Sequence, residues 1–156
     1  MGVERVKKYF DEIGAGKEIL VFDSSSATVE LAAIALGTEE ARIAKTLGFI
    51  TKEGPILVVT SGDAKVDNKK YKEKFLCKAK MIPFEDAEAT VGHRVGGICP
   101  FAINENVKVY LDESLKRFDT SFPAAGTDNS AVELSCKEME KYAQNFVSWV
   151  DICKLI

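Results

Sequence analysis

The sequence predicts an α+β domain with a mixed sheet, not a doubly wound parallel one. Three observations lead there. Short apolar, strand-like runs alternate with stretches of helical spacing. Two of the runs, residues 44–50 and 56–60, flank Lys52-Glu53-Gly54-Pro55 and read as a hairpin. The remaining runs fall between helices, so hairpin and crossover connections occur in one chain. A length of 156 residues without repeat, low-complexity tract or long linker predicts one domain over residues 1–156.

The elements follow in order. Val3, Val6, Phe10 and Ile13 recur at helical spacing, with Gly14 and Gly16 behind them as stops. Residues 19–22 form a short strand, broken by Asp23-Ser24-Ser25-Ser26. Residues 29–36 are rich in alanine and leucine and end at Gly37, a helix with a glycine stop. Thr38 reads as the N-cap of a further short helix, with Glu39 and Glu40 in a first turn where the helix dipole favours acids. After the hairpin, residues 67–80 are lysine-rich and helical in their first part. Pro83 precedes a short helix over 84–91. A loop spans 92–100, and strands are expected at 107–111, 118–122 and 131–134. Ser135-Cys136-Lys137-Glu138 fits a capping box. Met139, Tyr142, Phe146 and Trp149 then repeat as one terminal amphipathic helix.

Composition narrows the function. Twenty-one basic against 24 acidic side chains give −3 at pH 7, which excludes a strongly cationic DNA-binding surface and leaves only local basic patches. One such patch is Lys65, Lys69, Lys70, Lys72, Lys74, Lys78 and Lys80, opposed only by Asp67 and Glu73. It reads as a phosphate contact or as a solvated face. No apolar run reaches the roughly 20 residues of a membrane span, so the expected location is the cytoplasm. Cys77, Cys99, Cys136 and Cys153 contain no C-x-x-C pair, and His93 is the single histidine. No metal and no cofactor are expected from such spacing, and the cysteines read as free thiols.

Three clusters can carry chemistry. Lys45 lies inside the apolar segment Ile43-Ala44-Lys45-Thr46-Leu47. It is either a cation for phosphate or oxyanion, or a solvent-facing lysine on an alternating strand; the alternation with Ala44, Thr46 and Gly48 favours the second. Gly92-His93-Arg94-Val95-Gly96-Gly97-Ile98-Cys99-Pro100 is either a backbone cradle for an anion or polarised carbonyl, or a tight turn. Within it His93 and Cys99 could pair as base and nucleophile, although a polar ring beside a packed thiol is the simpler reading. Ala124-Ala125-Gly126-Thr127-Asp128-Asn129-Ser130 is a ligand-binding loop or a turn.

Taken together, these clusters resemble the YbaK/EbsC family, free-standing relatives of the editing domain inserted in bacterial prolyl-tRNA synthetases. The resemblance runs in order through Thr28 to Gly37, Ala41 to Leu47, Ala87 to Gly92, Gly96 to Ala102, Tyr110 to Leu115, Ala125-Gly126 and Ala131 to Leu134. It implies a mixed, largely antiparallel sheet curled into a barrel-like core surrounded by helices. It implies metal-free ester hydrolysis of mischarged aminoacyl-tRNA in trans, such as Cys-tRNA(Pro) or Ala-tRNA(Pro). Lys45, Gly96 and Gly97 take catalytic positions by this resemblance. Thr46, His93, Ile98, Cys99, Pro100, Gly126 and Asp128 take substrate-binding ones. Expected partners are the aminoacyl-tRNA 3′ end and an aminoacyl-tRNA synthetase. Cys99 stands where relatives more often carry Ser or Thr, and residues 127–130 depart from the arginine- and glycine-rich loop of Cys-tRNA(Pro) deacylases. Two other readings remain: a non-catalytic module that binds aminoacyl-tRNA or a synthetase, and a cysteine hydrolase using Cys99 and His93.

Overall fold

A computed structural model describes residues 2–23 and 28–156. Helix α1 (Gly2–Glu12) buries Val6 and Phe10, one turn apart on the expected face. Strand β1 (Leu20–Val21) follows; Ser24 to Ser26, read as its breaker, lie outside the described residues. Helix α2 (Val29–Leu36) begins at Thr28, whose hydroxyl accepts from the Leu31 amide, and ends at Gly37 with φ 65°. Beyond it the expected Thr38 cap is replaced. The chain makes a 3-10 turn, Glu40–Arg42, with Glu39 in the N-cap position.

Strands β2 (Ile43–Thr51) and β3 (Gly54–Ser61) form the expected hairpin, in register from Thr51 opposite Gly54 back to Ala44 opposite Ser61. Strand β4 (Ala64–Val66) and helix α3 (Asn68–Phe75) follow, α3 capped by the Asp67 carboxylate on the Lys69 and Lys70 amides. A turn at Phe84–Asp86 leads into helix α4 (Ala87–Val91). Strand β5 (Lys108–Asp112), the short strands β6 (Phe122–Pro123) and β7 (Ser130–Ala131), helix α5 (Cys136–Tyr142) and strands β8 (Phe146–Val150) and β9 (Cys153–Leu155) complete the order.

The main sheet is mixed and curled, with strand order β6-β2-β3-β5-β8. Within it the β2–β3 ladder is antiparallel, and the β2–β6, β3–β5 and β5–β8 pairs are parallel. Two antiparallel pairs, β1–β7 and β4–β9, sit outside it. One side of the sheet buries Leu57, Val59, Val109 and Leu111 against α1 and α5; the other packs Phe49 and Val58 against Tyr71 of α3. Fold class and mixed sheet are as expected from sequence.

Three element assignments are corrected. The terminal helix stops at Tyr142. Asn145 takes φ 57°, and Phe146 and Trp149 belong to β8. Their spacing of three suits a helix and gives no strand alternation, but the parallel ladder with β5 overrides it. The strand expected over 118–122 shrinks to β6, because Glu113–Arg117 is a 3-10 turn and Pro123 confines its strand to a sheet edge. The strand expected over 131–134 shrinks to β7 plus one bridge between Leu134 and Ser121.

Candidate functional site

Two patches of chain cover one edge of β2. β6 pairs with Ile43 and Ala44. At the other end the Ile50 amide donates to the Lys80 carbonyl at 2.8 Å, and the Ile82 amide donates to the Gly48 carbonyl at 3.0 Å. Pro83, at φ −56° and ψ 143°, then caps the Phe84–Asp86 turn and carries the chain off the strand. Among the described residues this leaves the edge at Lys45, Thr46 and Leu47 unpaired. A cavity of about 440 Å³ opens at the gap. Its walls are this edge, α2 through Val29 and Ala32, the glycine loop through Gly96 and Ile98, and Phe122. An apolar cleft of this size with a few polar groups suits a small organic moiety.

Strand alternation puts Lys45 on the face with Leu47 and Phe49, and Thr46 on the face with Ala44 and Gly48. Lys45 is half-buried and not solvent-facing. Its ammonium donates to the carbonyl of Ala64, a buried residue outside the cavity lining. Burial pushes its pKa below the ordinary lysine value, partly opposed by Cys153 and Asp63. Thr46 is different: its hydroxyl is buried with no hydrogen-bond partner among the described residues. An unpaired buried hydroxyl costs free energy, and the residue that carries this one lies in the cavity wall.

The glycine loop divides its two faces. Gly96, at φ 96°, borders the first cavity with Val95 and Ile98. Gly97 turns the other way. Its amide donates to the Arg94 carbonyl at 3.0 Å, and a Cβ there would lie 2.4 Å from the Gly126 carbonyl oxygen. Gly126, at φ 98°, is pressed in turn against Gly2 at the start of α1. A second cavity of about 430 Å³ lies on this side, lined by Arg5, His93, Gly97, Gly126 and Asp128 among others. The residues singled out in the sequence therefore separate. Lys45, Thr46, Gly96 and Ile98 meet at the first cavity, and His93, Gly97, Gly126 and Asp128 at the second.

Cys99 and Pro100 line neither cavity; both are buried beneath the loop. The Pro100 carbonyl accepts from the Gln144 amide at 2.8 Å. The Cys99 Sγ is 3.5 Å from His93 Nε2, so the suspected pair does exist. It is not a nucleophile and base. His93 Nε2 is 2.6 Å from the Phe101 carbonyl, which can only accept, so Nε2 carries the proton. Burial pushes the fully enclosed Cys99 thiol up to about 12. A neutral, inaccessible thiol cannot attack an ester. The cysteine-hydrolase reading is thereby corrected to a packed thiol beside a buried ring. All four cysteines are free.

Phe84, Met81, Phe122 and the α2 residues were not legible as site residues. Their signal was Pro83, which ends a strand-like pairing beside the lysine-bearing segment; it read only as a helix start. Among the described residues no three His, Cys, Asp or Glu side chains are grouped to hold a metal ion, and no helix is long and apolar enough to cross a membrane.

Comparison with known proteins gives the class to which this fold belongs. Residues 23–142 match the aminoacyl-tRNA editing domain, and the chain belongs to that family. Over 156 residues it is 44% identical to the uncharacterized protein YwhH of Bacillus subtilis, covering 99% of this chain and 98% of that protein. Over 110 residues it is 33% identical to EbsC of Enterococcus faecalis, a candidate Cys-tRNA(Pro)/Cys-tRNA(Cys) deacylase, covering 69% and 67%. A crystal structure of a candidate trans-editing enzyme for prolyl-tRNA synthetase superposes with a TM-score of 0.87 at 24% identity, covering 98% of this chain and 97% of that one, a likeness of fold.

Proposed function

We propose that the chain hydrolyses the ester of a mischarged aminoacyl-tRNA in trans, in the cytoplasm, with tRNA(Pro) or a related tRNA as carrier. The observation that carries this reading is the apolar cavity at the unpaired edge of β2, where segments matched to the editing family converge. An aminoacyl ester is already activated, so its hydrolysis needs orientation and oxyanion stabilisation more than a strong nucleophile. In this reading the amino-acid side chain enters between α2 and Phe122. The Gly96 turn faces the ester, and the Thr46 hydroxyl supplies a hydrogen bond the folded chain leaves unmade. The Lys45 ammonium exchanges the Ala64 carbonyl for the negative charge of the tRNA end, an exchange eased because the amine is already partly desolvated.

The position of that ammonium also supports a second reading, a module that binds aminoacyl-tRNA or a synthetase without turnover. A deacylation screen over mischarged tRNAs separates the two. Ester hydrolysis well above the spontaneous rate is expected on at least one mischarged tRNA. Lys45→Ala should lower kcat/KM by roughly 10²–10³, the cost of removing one oxyanion-type donor. Binding of mischarged tRNA without hydrolysis across the panel would establish the second reading.

A further inference from the structure

We propose that Phe84 is the platform on which the 3′-terminal adenine of the tRNA stacks; this rests on the editing function proposed above. A substrate whose ester lies beside Thr46 and Gly96 must send its nucleoside out through the mouth of the cavity. Phe84 lines that cavity yet is 75% exposed, whereas the other aromatic ring on its wall, Phe122, is 8% exposed. Met81, just before Phe84 in the chain, and Val95 of the glycine loop line the same wall and are 58% and 46% exposed. Three exposed apolar side chains around one opening form a patch, not the scattered single residues ordinary on a surface.

The backbone that carries the ring is also held in place. Ile82 is bonded to Gly48, Pro83 fixes the entry to the turn, and the Asp86 amide donates to the Pro83 carbonyl at 2.9 Å. Ala87, directly after the turn, is buried. A flat apolar face presented by rigid backbone suits a base, because stacking accepts any π-face and little order is lost on contact. The exposed Lys78 and Lys80 approach the ring along the segment bonded to β2, and Glu85 and Asp86 follow it. Charge therefore favours phosphates arriving from the lysine side.

The test uses the trinucleotide CCA carrying amide-linked alanine at its 3′ carbon, and the same molecule with an abasic 3′ residue. The wild type should bind the complete probe about 5- to 150-fold more tightly, the range for one stacked base. Phe84→Ala should erase that preference and Phe84→Trp should keep it, with unfolding temperatures unchanged for this surface position. On a mischarged tRNA, Phe84→Ala should raise KM and leave kcat alone. If the wild type deacylates mischarged tRNA but shows no preference, or Phe84→Ala retains it, the stacking proposal falls and the editing function stands. If the wild type neither binds a probe nor deacylates any tRNA, both fall. A retained preference with altered sedimentation of Phe84→Ala would assign the patch to self-association instead.

Discussion

The two cavities on either side of the glycine loop have nearly the same volume and opposite construction. On the second side most polar groups are spoken for: Arg5 donates to the carbonyls of Gly92 and Ala102, Gly97 donates to Arg94, and His93 donates to Phe101 through Nε2, while its buried Nδ1 has no partner among the described residues. Backbone meets backbone at Gly2, Gly126 and Gly97 with no room for a side chain. On the first side the wall is apolar, a hydroxyl is unpaired, and a strand edge ends without a partner. One loop thus serves two purposes. One face joins α1 to the 126 turn, and the other stays available to a ligand. Adjacent glycines in a sequence need not share a role.

The largest expected effect breaks the second side. Gly97→Ala should cost at least about 1–3 kcal/mol, because its Cβ meets main-chain atoms that cannot rotate away. The urea midpoint measures the loss. A stable Gly97→Ala protein with deacylation abolished would instead return Gly97 to the catalytic group in which its sequence position put it. The next variant probes the first side. Thr46→Val keeps the shape and removes an unpaired buried hydroxyl, so stability should hold or rise by up to about 1 kcal/mol. If that hydroxyl meets substrate, kcat/KM should fall roughly tenfold, the worth of one hydrogen bond. Unchanged kinetics would remove Thr46 from the site.

The smallest effect is a pH dependence confined to the second side. Burial holds the His93 pKa below its usual 6.5, partly offset by the Phe101 carbonyl and reinforced by the Arg5 cation. The unfolded chain therefore binds the proton first as pH falls. The stability contribution is complete above about pH 6.5 and declines below it toward the folded pKa, by at most about 1.4 kcal/mol per unit. Urea midpoints between pH 7.5 and 5.5 should fall in the wild type and flatten in His93→Gln. Equal slopes in both proteins would assign the dependence to other groups.

Local signals made much of this architecture legible. The Ser135 cap, the Gly37 stop and the β2–β3 turn each act within a few residues, and each stands where the sequence puts it. β8 was hidden because Phe146 and Trp149 share a helical spacing with Met139 and Tyr142, and only pairing with the distant β5 decides between the two states. The site was legible in part for a related reason. Ordered motifs marked Lys45, Thr46 and the glycine loop. Which side of the loop each residue serves depends on the approach of Gly126 and α1, contacts between residues far apart in sequence.

The unpaired edge of β2 has a further consequence, for solubility. An open strand edge is a template on which another chain can add a strand and begin aggregation. Here pairing with β6 ends at Ala44 and pairing with the 80–82 segment ends at Gly48. The opening between them is too short to seat a foreign strand, and a lysine stands within it. A gap wide enough for the acyl group of the proposed reaction is thus too narrow for strand addition at this edge.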